Sequence, residues 1–133
     1  MRAINRLIFH HSASSLATTA EDITRWHTEN NGWDFVGYHF IVESNGKVVP
    51  GRDLDMTGAH AKGANGDSVG ICLVGSNDVS EETWTQQQID ATNELVGALR
   101  RVLGVPLTIH GHRDVGTTVT LCPGVDVVEV LHV

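Results

Sequence analysis

Residues 6–10, Arg6-Leu7-Ile8-Phe9-His10, carry three apolar side chains in succession without polar alternation. That is the pattern of a strand covered on both faces. Residues 12–18 are small and polar and read as a loop. Thr19 then stands three residues before Asp22, a carboxylate variant of the capping box, and opens a helix over 20–29 with Ile23 and Trp26 as its apolar contacts. Asn30-Asn31-Gly32 ends it. Residues 38–42 predict a second strand, and Ser44-Asn45-Gly46-Lys47 a tight hairpin turn, because Asn-Gly tolerates positive φ. The chain returns antiparallel over 48–52.

Residues 53–67 are rich in Gly, Ala and polar side chains, with His60 at their centre, and predict an ordered loop over a site. Residues 68–74 form the longest apolar run and predict the most buried strand, in which Cys72 serves as a small buried hydrophobe. After an acidic loop at 77–82, Thr85 with Gln88 as box partner opens a long helix. Its stripe is Ile89, Leu95, Val96, Leu99, Val102 and Leu103, closed by Gly104 and Pro106. A strand at 107–110 and a short helix at 125–131 complete the chain. Strands interleaved with two sizeable helices and one hairpin predict a single α/β domain over residues 1–133, a central mixed β-sheet flanked by helices.

At 133 residues the chain can bury roughly two-thirds of its unfolded surface. No apolar run approaches the roughly 20 residues of a membrane span, and Met1 to Arg6 lacks the apolar core of a secretory signal. Cytoplasmic synthesis and no membrane partner are therefore expected. A formal charge of −7, with nine scattered Lys and Arg, excludes nucleic acid as an expected partner. A monomer is expected.

The chemistry concentrates in two places. Ile109-His110-Gly111-His112-Arg113-Asp114 leads to Leu121-Cys122-Pro123-Gly124, while Phe9-His10-His11-Ser12 delivers histidines at the end of the first strand. Imidazole and thiolate are the donors a tetrahedral zinc prefers, and three protein ligands leave an open position for water. From spacing alone, a His110-x-His112 pair rivals other ligand sets, because alternate residues of a strand share a face. His10 and His11 cannot share one, so only one of them binds. His27 and His132 read as ordinary hydrogen-bonded or surface imidazoles. Asp114 reads equally as an acceptor behind a ligand imidazole or as a turn cap, and Trp33 as a cleft wall or a packed residue beside a helix end.

The ordered set Phe9-His10-His11-Ser12-Ala13, Trp26-His27, Gly32-Trp33, Val36-Gly37-Tyr38-His39-Phe40, Asn45-Gly46, Gly51-Arg52, Gly58-Ala59-His60-Ala61, Asn65, Ser68 to Gly75, Gly111-His112-Arg113-Asp114 and Cys122-Pro123-Gly124 resembles zinc-dependent N-acetylmuramoyl-L-alanine amidases of the type-2 class. Their fold is shared with animal peptidoglycan recognition proteins and a phage lysozyme. The resemblance implies one catalytic Zn2+ on His10, His112 and Cys122, with Tyr38 beside it as a catalytic residue and His11 and His110 as neighbours. Some phage members carry a lysine where this chain has Thr120, whose hydroxyl brings a hydrogen bond but no charge to a developing oxyanion. His60 and Trp33 are expected to contact substrate.

The implied reaction is hydrolysis of the amide between N-acetylmuramic acid and L-alanine, in peptidoglycan or muropeptides. An endolysin reaching the wall after release and a cytosolic recycling enzyme both fit. The rivals are a binding-only peptidoglycan module, from which Cys122 argues away, and a structural zinc site completed by His11 or His110.

Overall fold

The computed structural model describes residues 1–131, so His132 lies outside the described residues. Five strands, β1 (Arg6–His11), β2 (Phe40–Val42), β3 (Val48–Pro50), β4 (Ser68–Leu73) and β5 (Thr108–Gly111), form one sheet in the order β3-β2-β4-β1-β5. β1 runs parallel to both β4 and β5, and β2 parallel to β4; only the β2–β3 hairpin is antiparallel. The mixed α/β sheet expected from the sequence is the one observed.

The apolar runs of β1 and β4 split between two faces. Leu7 and Phe9 join Val69, Ile71 and Leu73 in the main core, against Val96 and Leu99 of α2 (Gln86–Leu103) and Val127 and Leu131 of α3 (Val127–Leu131). On the other face Cys72 packs with Ala20 and Ile23 of α1 (Ala20–Asn30), while Ile8 meets Ala61 and Ala64 of the long loop. That second face is only partly roofed by helix. His10, in register with Cys72, emerges there at the end of β1.

Both capping boxes form as the sequence predicts, Thr19 with Asp22 and Thr85 with Gln88. Gln88 does more than cap. It is fully buried, and its Nε2 donates to Val42 O at 3.1 Å and Val74 O at 2.7 Å, pinning the start of α2 to the ends of β2 and β4. Val102 departs from the expected stripe and is 75% exposed. At about 100° per residue it stands roughly 240° around the helix from Val96, outside the face that Leu99 and Leu103 share. The predicted acidic loop contains a short 3-10 turn at Ser80–Glu82. The predicted strand at 38–42 narrows to Phe40–Val42, although backbone bonds from His39 N to Gly70 O and from Arg52 N to Tyr38 O hold the preceding residues in line.

The loop over 53–67 is ordered by a residue from far away in sequence. The Arg2 guanidinium donates to Leu54 O, Asn65 O, Gly66 O and Ser68 O, clasping both ends of the loop. Beside it His39, fully buried, accepts from Gly70 N at Nδ1 and lies 2.7 Å from Met56 O at Nε2. With Nδ1 accepting, the proton sits on Nε2 and goes to that carbonyl.

Candidate metal centre

Three sheet-end features converge on His10. β1 delivers it buried, at 2% exposure. β5 ends at Gly111, and a 3-10 turn at His112–Asp114 swings His112 back over the sheet. The returning chain then brings Cys122 alongside, with Arg113 N donating to Cys122 O at 2.7 Å. Gly111 permits this approach, since a Cβ there would lie 2.8 Å from Pro123 Cδ.

The ligating atoms of His10, His112 and Cys122 all lie within 4.8 Å of one another, the one such cluster of metal-binding donors among the described residues. Cys122 Sγ is 3.9 Å from His10 Nδ1. The rival pair of His110 and His112 does not form. His112 has left the strand, and His110 instead pairs its Nε2 with Thr108 Oγ1 at 2.8 Å. His11 points to the opposite face, where its Nδ1 accepts from Asn77 N. Asp114 proves to be the turn cap, its Oδ2 accepting from Gly111 N at 3.2 Å.

The donor set of two imidazoles and one thiol suits a borderline-soft divalent cation. His112 Nε2 is buried without a hydrogen-bond partner, an unsatisfied atom that a cation would satisfy. A metal ion therefore fits. Burial lowers the proton affinity of both imidazoles, His10 well below its ordinary value with His60, His112 and His11 adding to the effect. Both are neutral at pH 7 with lone pairs available. Burial pushes the Cys122 thiol up to about 11, so it becomes a ligand only by exchanging its proton for the cation.

Tyr38 stands over this group, its ring centroid 5.1 Å from that of His10 and 5.4 Å from that of His27. Burial, reinforced by the sulfurs of Cys72 and Cys122, holds its phenol well above the usual value, so it remains a neutral donor. His27 is a hydrogen-bonded imidazole, as the sequence implied. Its Nδ1 accepts from Gly37 N at 2.9 Å, and its ring meets Trp33 edge-on at 4.9 Å. Thr120 Oγ1 accepts from Cys122 N at 3.2 Å, which leaves its own proton to give away.

A cleft of about 280 Å³ opens beside the cluster, lined by Trp33, Ala59, His60, Lys62, His112 and Thr118 among others. Trp33 and His60 thus share one cleft lining. Sequence reading passed over Lys62, the one cation in this lining. Its signal was faint: it sits two residues after His60 in the glycine-rich loop. A larger hollow of about 620 Å³ lies between Gly46, Val48 and α2, lined by Glu94 and Arg101 but by none of the clustered ligands.

Residues 1–125 match the N-acetylmuramoyl-L-alanine amidase family. The chain belongs to that family. Among its relatives is an endolysin of Enterobacteria phage K11, 43% identical over 108 residues, covering 79% of this chain and 69% of that protein. An endolysin of Klebsiella phage KP32 is 39% identical over 125 residues, 90% of this chain and 80% of that one. The solved endolysin N-acetylmuramoyl-L-alanine amidase LysCS of Clostridium intestinale superimposes with a TM-score of 0.80 at 30% identity, over 92% of this chain and 76% of that structure. In this amidase-family chain, then, the cleft and the donor cluster share one end of the sheet. None of the helices among the described residues is long and apolar enough to cross a membrane.

Proposed function

We propose that this chain hydrolyses the amide bond between the lactyl group of N-acetylmuramic acid and L-alanine, in peptidoglycan or muropeptides, using zinc held by His10, His112 and Cys122. The observation that carries the reading is the convergence of those donors within 4.8 Å at the edge of the cleft, with Tyr38 against His10. The phage relatives named endolysins support wall lysis as the biological setting.

Zinc bound there supplies Lewis-acid chemistry, activating water and polarising the carbonyl. The chain does the rest. His10 and His112 bind as neutral imidazoles and Cys122 as a thiolate, leaving the site a net charge of about +1. The cluster contains no carboxylate to act as a base. Tyr38, kept as a phenol by burial, donates to the amide carbonyl oxygen as negative charge develops on it. Thr120 gives the same oxygen a second donor, because its acceptor side is already committed to Cys122 N. Trp33 and His60 hold the sugar–peptide junction in the cleft. His11 and His110 have other hydrogen-bond partners, so the residues that would hold the metal are His10, His112 and Cys122.

Purified peptidoglycan digested with zinc-loaded protein, and with a chelated control, tests this by mass spectrometry. Stem peptides with free L-alanine amino termini, lost on chelation, are expected. Wall that sediments with the protein but yields no such termini would end the enzymatic reading in favour of a binding module.

A further inference from the structure

His60 holds a contact that a substrate-binding role does not explain. Its Nδ1 lies 2.8 Å from His10 Nε2, on the side of the His10 ring away from Cys122. The imidazole is built into place. It lies against the backbone of β4 at Gly70, where any Cβ would overlap the ring, and Asn65 Oδ1 accepts from His60 N at 3.0 Å and Ala61 N at 2.9 Å.

Following the protons fixes every member of the chain of bonds. Ala64 O is a backbone carbonyl and only accepts, so the Ser68 hydroxyl, 2.7 Å away and fully buried, commits its one proton there. Ser68 Oγ is then an acceptor for His60 Nε2, 3.4 Å away. A neutral imidazole carries one N–H, so with Nε2 protonated, His60 Nδ1 accepts. The proton between the rings consequently belongs to His10 Nε2. His10 Nδ1 is left bare, facing Cys122 Sγ at 3.9 Å.

We infer that His60 is a positioning residue: through Ser68 and the Ala64 carbonyl it fixes the tautomer of His10, so that Nδ1 is the atom offered to the metal. This rests on His10 being a metal ligand. A donor–acceptor chain behind a ligand imidazole sets both its ring orientation and its basicity, and losing such a partner weakens metal binding by about 10–100-fold.

Imidazole 15N correlation spectra of the metal-free protein read the tautomer directly. His10 is expected to carry its proton on Nε2. In His60→Leu, which keeps bulk but accepts nothing, the two His10 tautomers are expected to mix, and the zinc Kd, measured by chelator competition, to rise about 10–100-fold. His60→Gln retains an acceptor and is expected to recover most of that loss. Should His60→Leu fail to fold, Ser68→Ala removes only the second link and is expected to mix the tautomers with a smaller loss of affinity. A protonated His10 Nδ1 in the wild type, or an unchanged tautomer and Kd in His60→Leu, overturns the inference. Failure of the wild type to bind zinc while His10 shows the expected tautomer would instead strike the proposed function and leave the hydrogen-bond chain standing.

Discussion

Tyr38 is the residue whose environment most narrows what it can do. Its ring is tilted between those of His10 and His27, and burial keeps its proton in place. A phenol so held keeps its proton, and in the proposed mechanism it serves as a donor to the reacting oxygen and not as a base. Tyr38→Phe keeps the ring packing and removes only the donor. Its expected effect is a fall in kcat of about 10²–10³-fold, as for other lost oxyanion donors, with zinc affinity unchanged. Turnover of labelled muropeptide beside a zinc titration checks both halves; an undiminished kcat would move Tyr38 to a packing role. At this scale the three clustered donors, His10, His112 and Cys122, were legible because each ends or follows a strand or precedes a Pro-Gly turn. His60 was legible only as a member of a loop. Its bond to His10 spans fifty positions and depends on β1–β4 register and on the flat surface at Gly70, neither of which a one-dimensional pattern displays.

Among elements, what the sequence revealed was local and what it hid was not. Thr19 with Asp22 and Thr85 with Gln88 are three-residue relations, and both boxes form. The second half of Gln88's work, reaching Val42 and Val74, requires knowing which strands end beside α2. Arg2 is the extreme case. Read as part of a featureless N-terminus, it is the clasp of the 53–67 loop, donating to Leu54 O, Asn65 O, Gly66 O and Ser68 O. That loop carries His60, so the clasp helps support one wall of the cleft. Arg2→Ala is expected to cost about 2 kcal/mol, since hydrogen bonds from a charged donor are worth roughly that and their loss leaves partly buried acceptors unpaired. Hydrogen exchange at 53–67 is expected to quicken more than at α2. Equal protection across the molecule, with an unchanged denaturation midpoint, would show that the loop holds itself.

For the whole molecule, the unusual feature is how many imidazoles are kept neutral by the fold. Desolvation is the leading cause of a lowered proton affinity at His10, His11, His27, His39, His60 and His112. For His39 the guanidiniums of Arg2 and Arg52 add to it, against the opposing bond to Met56; for His60 the value falls to about 3. Above the unfolded imidazole value of about 6.5, folded and unfolded chains are both unprotonated at these sites, and the stability they contribute is fully present. As pH falls below that value the unfolded chain takes up protons that the fold refuses, so unfolding is favoured progressively down to the folded-state values. Comparing pH 7.5 with pH 5.0 brackets that range while most carboxylates stay ionised. The urea midpoint of chelator-treated protein is expected to drop markedly between them. Zinc at fixed excess is expected to raise the midpoint at pH 7.5 and to do less at pH 5.0, because binding must also remove the Cys122 proton, held up to about 11. Equal midpoints at the two pH values in the metal-free protein would mean that the buried imidazoles protonate without opening the fold, and the acid sensitivity argued from their burial would not hold.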